Sequence, residues 1–194
     1  MQAVTAERAT LHATAAALAG VALIQSVAAV RTPHAKANAI GAAVCVIALL
    51  HYLWMRGASD GEQRELRYGD WFVTCPLLLW ELYLVTGQDT EHLGASIVAV
   101  LAMLALGLAA ASAEGPRRHV LFGLACVAFA VSIRLSTQKV DWEEHGTLVA
   151  AFFGLWSLYP VAFLLRSNTM YNLLDLLSKA GIGLYIANKS FRVM

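Results

Sequence analysis

The sequence predicts an all-α protein, a seven-transmembrane helix bundle forming one membrane domain over residues 1–194. Three observations carry that expectation. The chain is 59% hydrophobic and only 14% charged, with a mean hydropathy of +0.61, proportions that belong to proteins whose solvent is lipid. Its apolar residues fall into seven runs of membrane-crossing length. Ionisable residues recur inside some of those runs, where hydrocarbon makes them costly and marks them as functional candidates.

A helix rising 1.5 Å per residue needs ~20 residues to cross ~30 Å of hydrocarbon. That measure places spans at 9–30, 37–56, 67–86, 92–113, 119–138, 146–165 and 170–188. Turn-forming and charged residues stand between them. Arg31-Thr32-Pro33-His34 separates the first pair, and Gly57-Ala58-Ser59-Asp60-Gly61 the second. Gly87-Gln88-Asp89-Thr90-Glu91, Glu114-Gly115-Pro116-Arg117-Arg118 and Lys139-Val140-Asp141-Trp142-Glu143-Glu144 follow, and Ser167-Asn168-Thr169 parts the last two. Connections this short make successive helices antiparallel neighbours and leave no room for a soluble domain. The first run is too long for the apolar core of a signal peptide, and no small-residue cleavage site follows it. Lys and Arg divide into about six per side, so the positive-inside rule gives no orientation.

A net charge of +1 offers no basic stripe for nucleic acid. Cys45, Cys75 and Cys126 lie in apolar runs without C-x-x-C spacing, and read as buried thiols rather than metal ligands or a disulfide framework. No metal site is expected.

Within the spans fall His51, Asp70, Glu81, Asp175 and Lys179. Asp175 and Lys179 are one helical turn apart on one face. They read either as a plain ion pair or as the seat of a carbonyl compound held by Lys179 as a protonated Schiff base. The flexible stem and adjustable amine of lysine suit that chemistry, and a buried cation then needs carboxylates. The third span supplies them, because Arg67, Asp70, Thr74 and Glu81 share one helical face. Asp70 and Glu81 lie ~16 Å apart along the axis, one near mid-membrane and the other toward a surface. Glu81 also lies close enough to its helix end to snorkel, and His51 also reads as a hydrogen-bonded core histidine.

These residues resemble the microbial rhodopsins. Arg67-Tyr68-Gly69-Asp70-Trp71-Phe72-Val73-Thr74-Cys75-Pro76-Leu77-Leu78 is similar to that family's helix C pattern, R-Y-x-D-W-x-x-T-x-P-L-L. Trp156-Ser157-Leu158-Tyr159-Pro160 is similar to W-x-x-Y-P on its helix F, and Asp175 with Lys179 to its helix G. Within the family the likeness is to the proteorhodopsins. His51-Tyr52-Leu53-Trp54-Met55-Arg56-Gly57 resembles their H-Y-x-x-M-R-G, and Trp80-Glu81-Leu82-Tyr83-Leu84 their x-E-F-Y-L. The likeness is strong in the second, third, sixth and seventh spans. It departs in the loops, which lack an acidic pair like the outer proton-release carboxylates of bacteriorhodopsin.

The resemblance implies that Lys179 binds all-trans-retinal as a covalent Schiff base. Asp70 would be the primary counterion and proton acceptor, and Asp175 a second counterion steadied by Tyr52 and Tyr159. Arg67 would lie on the extracellular side of the cluster, and Thr74 would hydrogen-bond near Asp70. Glu81 would be the cytoplasmic proton donor, its apolar setting favouring the proton-loaded form, and His51 would hydrogen-bond to Asp70. Trp71 and Trp156 would flank the polyene, with Leu78 and Phe163 along the pocket, although by residue type alone these side chains read equally as helical core.

The function so implied is a light-driven outward proton pump, a transporter and not an enzyme. It would lie multi-pass in the cell membrane with its N-terminus extracellular, in contact with the lipid bilayer and forming a ring-like homo-oligomer, of which a pentamer is one form. The Asp70, Thr74 and Glu81 set argues against chloride pumps, which replace the acceptor carboxylate, and against sodium pumps, which carry Asn, Asp and Gln. A sensory photoreceptor signalling through a partner is the alternative, and such proteins commonly lack a carboxyl at the Glu81 position. A light-gated channel fits less well, because the third span has no added polar face. Leu78 matches the position where green-absorbing proteorhodopsins carry Leu and blue-absorbing ones Gln, while Ser178, beside the lysine, pulls the other way.

Overall fold

In a computed structural model, which describes residues 2–192, every regular element among the described residues is helical. The seven expected spans are the seven helices α1 to α7. The first five are α1 (Gln2–Arg31), α2 (Ala35–Met55), α3 (Asp60–Val85), α4 (Leu93–Ser112) and α5 (Gly115–Ser136). Helix α6 (Trp142–Leu165) is interrupted between Trp156 and Tyr159. Helix α7 covers residues 168–191 as Asn168–Asp175, a π-helical turn Leu176–Gly181, and Ile182–Phe191. Consecutive helices from α1 to α5 pack side by side, and α7 closes the bundle by packing on α1 and α2.

Among the described residues five helices, α1, α2, α4, α5 and α6, are long and apolar enough by composition to cross a membrane. The two that fall outside that description are α3, with its buried acids, and α7, divided into three segments. They are the helices that carry Asp70, Glu81, Asp175 and Lys179; of the residues singled out above, only His51 lies elsewhere, on α2.

Helices α3 and α6 begin earlier than hydropathy places them, because their first turns are polar and capped. The Ser59 backbone N–H donates to the Glu62 carboxylate at 2.8 Å and the Ser59 hydroxyl does so at 2.7 Å, so α3 starts at Asp60 rather than near 67. Those bonds hold the exposed Glu62 carboxyl below its usual range. In the same way Asp141 accepts from the backbone N–H groups of Glu143 and Glu144, and α6 starts at Trp142 inside the stretch read as a loop. Between α6 and α7 the chain reverses at Arg166, whose φ is 52°. The Ser167 hydroxyl then caps α7 by accepting from the Met170 N–H at 3.2 Å.

Pro160 has no N–H to return to the carbonyl of Trp156, and α6 breaks there. The break places Tyr159 against α7. Apolar packing falls into a larger cluster including Trp71, Leu79, Phe152 and Trp156 and a smaller one including Leu18, Ala48, Tyr52 and Met55. Trp71 of the first and Tyr52 of the second both hydrogen-bond to Asp175, so the polar centre joins the two. Leu23, Val30, Trp54, Val98 and Leu165 stand exposed on the outside, as lipid-facing side chains do.

Candidate functional site

The π-helical turn of α7 sets the position of Lys179. Extra-wide turns of this kind recur at functional sites because they re-aim one side chain without ending the helix. The Lys179 side chain is buried, and its Nζ forms ion pairs with Asp70 Oδ2 of α3 and, at 3.6 Å, with Asp175 Oδ1 one turn back on α7. Arg67 Nη1 lies 3.4 Å from Asp175 Oδ2. Two cations and two carboxylates thus compensate each other inside the bundle, the condition for burying any of them.

The two acids are bonded unequally. Asp175 accepts from the Tyr52 hydroxyl at 2.9 Å, the Tyr159 hydroxyl at 2.6 Å and the Trp71 indole N–H at 3.1 Å, besides Arg67. Asp70 has the lysine on one oxygen, and its buried Oδ1 has no hydrogen-bond partner. Arg67 is held from the other side by the Tyr52 hydroxyl at 3.2 Å and Asn172 Oδ1 at 2.9 Å. Thr74 donates to the backbone carbonyl of Asp70 at 2.9 Å rather than to its carboxylate. Glu81 is buried toward the other end of α3, and accepts one hydrogen bond from Gln25 of α1 at 3.1 Å.

A cavity lies beside Lys179 between α3, α4, α5 and α6, with about 730 Å³ of empty space when its open mouth is counted. Trp71 and Trp156 line it, with Leu78, Phe129, Phe163 and Tyr159. Phe163 stacks on Phe122 at a ring separation of 4.8 Å. At Gly107 an added Cβ would lie 3.0 Å from the Tyr68 hydroxyl, so a side chain there would require the Tyr68 ring to give by a few tenths of an ångström. An apolar ligand with one end able to condense with an amine suits this lining, and the orphaned Asp70 oxygen beside the amine is consistent with such a group.

Tyr52 steadies Asp175 as expected, but from outside this cavity, its hydroxyl donating to Asp175 and accepting from Arg67. One sequence-derived expectation is placed differently. No hydrogen bond joins His51 to Asp70. The His51 Nδ1 instead lies 2.9 Å from the Ile47 carbonyl one turn back on α2. Gln25 and Asn172 were passed over, because neither carries a charge nor falls in a motif. A neutral amide inside an apolar run carries the same signal at lower intensity.

Seven membrane-length helices around a charge-compensated lysine and an apolar cavity define an integral membrane protein with a ligand-sized space beside a buried amine. The chain belongs to the bacteriorhodopsin-like protein family, whose match extends over residues 6–192. It is 29% identical over 175 residues to the green-light absorbing proteorhodopsin of Gamma-proteobacterium EBAC31A08, covering 73% of this chain and 68% of that protein. It is 30% identical over 141 residues to sensory rhodopsin-2 of Natronomonas pharaonis, covering 60% of this chain and 58% of that one. Among solved structures it superposes on the blue light-absorbing proteorhodopsin from Med12 with a TM-score of 0.84 and 24% identity, over 96% of this chain and 98% of the other. The protein is therefore a microbial rhodopsin, of a family that uses retinal and whose members are light-driven transporters or sensors.

Proposed function

We propose that the protein is a light-driven outward proton pump, with retinal linked to Lys179 and held between Trp71 and Trp156, with Leu78 and Phe163 along its length. When bound, retinal supplies a light-triggered change of shape that alters the proton affinity of the nitrogen at Lys179.

The observation that carries this reading is the unequal bonding of the two acids. Asp175 is saturated by Tyr52, Tyr159, Trp71 and Arg67, and a proton placed on it would displace a charge-assisted bond. It stays ionised as a fixed counterion. Asp70 keeps an oxygen free of partners, so it is the carboxylate that takes the proton leaving the Lys179 nitrogen. Arg67, on the α3 N-terminal side of the pair, stabilises the ionised partner and marks the exit side.

Glu81 returns a proton to that nitrogen from the opposite side, its apolar seat favouring the loaded form. An acceptor and a donor on opposite sides of one switching amine give transport its direction. The N-terminus is then extracellular, the C-terminus cytoplasmic, and residues 1–194 act as a single retinal-binding domain that assembles into ring-like homo-oligomers. The 30% identity to a sensory rhodopsin-2 favours a second reading, a photosensor signalling through a partner. Glu81 speaks for the pump, because fast return of the proton serves turnover.

The test is the pH of a suspension of expressing cells under illumination. Acidification that an uncoupler abolishes is expected. A coloured protein that moves no protons would overturn the pump and leave the sensor. In the Glu81→Gln variant the proton should return to the Lys179 nitrogen at least tenfold more slowly, an effect in the range of general acid catalysis.

A further inference from the structure

Gln25 of α1 is fully buried in the half of the bundle that holds Glu81. Its Nε2 donates to Glu81 Oε1 at 3.1 Å, and its Oε1 accepts from the Cys45 thiol at 3.6 Å. The amide is housed by two glycines. A Cβ at Gly41 would overlap both the Gln25 amide and the Glu81 carboxyl, and a Cβ at Gly183 would lie 3.0 Å from the Gln25 nitrogen and oxygen. Glycine inside a helix is destabilising in itself. Here, on α2 and α7, it leaves space that the Gln25 side chain crosses to reach α3.

From this geometry we infer that Gln25 is a positioning residue for Glu81, fixing which carboxyl oxygen carries the proton and easing its departure. The inference rests on the proposed role of Glu81 as donor. The orientation of the amide follows from its neighbours, since the Cys45 thiol offers the donor that its oxygen accepts and so turns its N–H toward Glu81. An oxygen that accepts an N–H cannot also present the acid's proton in that direction. The proton of loaded Glu81 therefore sits on Oε2, away from α1. Once it leaves, the Gln25–Glu81 bond becomes charge-assisted and roughly twice as strong. Gln25 thereby stabilises the discharged state more than the loaded one, which speeds proton release.

Gln25→Met keeps the length of the side chain and removes the amide. Return of the proton to the Lys179 nitrogen, followed by flash photolysis of the retinal-loaded protein, should slow about tenfold, or ~1.4 kcal/mol of barrier. The dark absorption maximum should not change, because Gln25 does not line the ligand cavity. Infrared difference spectra should show the Glu81 carboxyl band, assigned by its loss in Glu81→Gln, moving to higher frequency as its C=O loses a donor. An unmoved band and an unchanged rate in Gln25→Met would overturn the inference. So would a wild-type band already at the position of a carboxyl without hydrogen bonds, a measurement that holds even if Gln25→Met yields no pigment. If Glu81→Gln itself leaves the rate unchanged, it is the donor reading that fails, and the band position still decides whether Gln25 bonds the acid.

Discussion

The Tyr159 hydroxyl donates to Asp175 Oδ1 at 2.6 Å and lies 3.0 Å from the Ser178 hydroxyl. This one phenol ties the break in α6 to the wide turn of α7, the two irregular backbone segments beside Lys179. A helix interrupted at Pro160 thus delivers a donor to the Asp175 carboxylate. Tyr159→Phe removes that donor while keeping the ring that packs against Trp71 at 5.2 Å. Hydrogen bonds to charged groups are worth about 1.5–3 kcal/mol. The variant is expected to bind retinal but to lose its colour on heating at a lower temperature than the parent, and equal bleaching temperatures would show that the bond contributes nothing net.

Replacing each acid in turn separates their roles. Asp70→Asn removes the less-bonded carboxylate, so the pigment should form, absorb at longer wavelength through loss of a counterion, and transport no protons. Asp175→Asn leaves Arg67 and Lys179 sharing one acid, and breaking a buried pair in that way costs about 3–5 kcal/mol. Its yield of pigment should be far lower. Visible spectra and pigment yields of the two variants side by side are the measurement, and equal yields would contradict the asymmetry.

The helix count and the central acids and amine were legible in the sequence because hydrocarbon imposes simple rules. Length sets the spans, and an intramembrane charge must be paired. Asp175 and Lys179 were readable from a four-residue spacing, and Asp70 from the helical face it shares with Arg67 and Thr74. What escaped depends on neighbours distant in sequence. No local pattern says that Gln25 will meet Glu81 across the gap at Gly41, or that Asn172 will hold Arg67 from the side away from Asp175. The wide turn at Leu176–Gly181 is likewise invisible in a run that reads as ordinary helix. Helix starts were missed at Asp60 and Trp142 because hydropathy reports where lipid begins, whereas capping by Ser59 and Asp141 decides where the helix begins.

Colour should respond to one apolar wall residue. Leu78 is buried and lines the cavity, so Leu78→Gln places a dipole against the bound chromophore. Absorption is expected to move to shorter wavelength, in line with the proteorhodopsin pattern at this position. A shift to longer wavelength, or none, would show that residue 78 lies where the chromophore's charge does not change on excitation.

At the membrane surface, Lys139 ties the α5–α6 loop to the α3–α4 loop through Asp89 at 3.0 Å and through Glu91. These bonds hold both carboxyls below, and the Lys139 amine above, their usual ranges. The sign follows from linkage. The acids' contribution is present above the ordinary carboxylate range and fades as pH falls through their lowered values. The amine's contribution is present below the ordinary lysine range and fades as pH rises through its raised value. All three groups are exposed, so the effect is small and screened by salt. Lys139→Ala should lower thermal stability slightly at neutral pH and low salt, and the difference from the parent should vanish in 1 M salt.

The amine itself gives the most discriminating measurement. Lys179→Ala leaves Asp70 and Asp175 facing Arg67 alone, an excess negative charge in a buried site. With retinal added the variant should stay colourless, because no other lysine lines the cavity. It should also be destabilised, and a second substitution should recover part of that loss. Asp70→Asn in the Lys179→Ala background removes the acid that lost its only partner, so the double variant should melt higher than Lys179→Ala alone, the non-additivity expected of residues in direct contact. Asp175→Asn in the same background should give no such recovery, because Asp175 keeps Arg67, Tyr52, Tyr159 and Trp71. Equal recovery from both acids would mean that they share the amine evenly, and the distinction between a mobile acceptor and a fixed counterion would not survive.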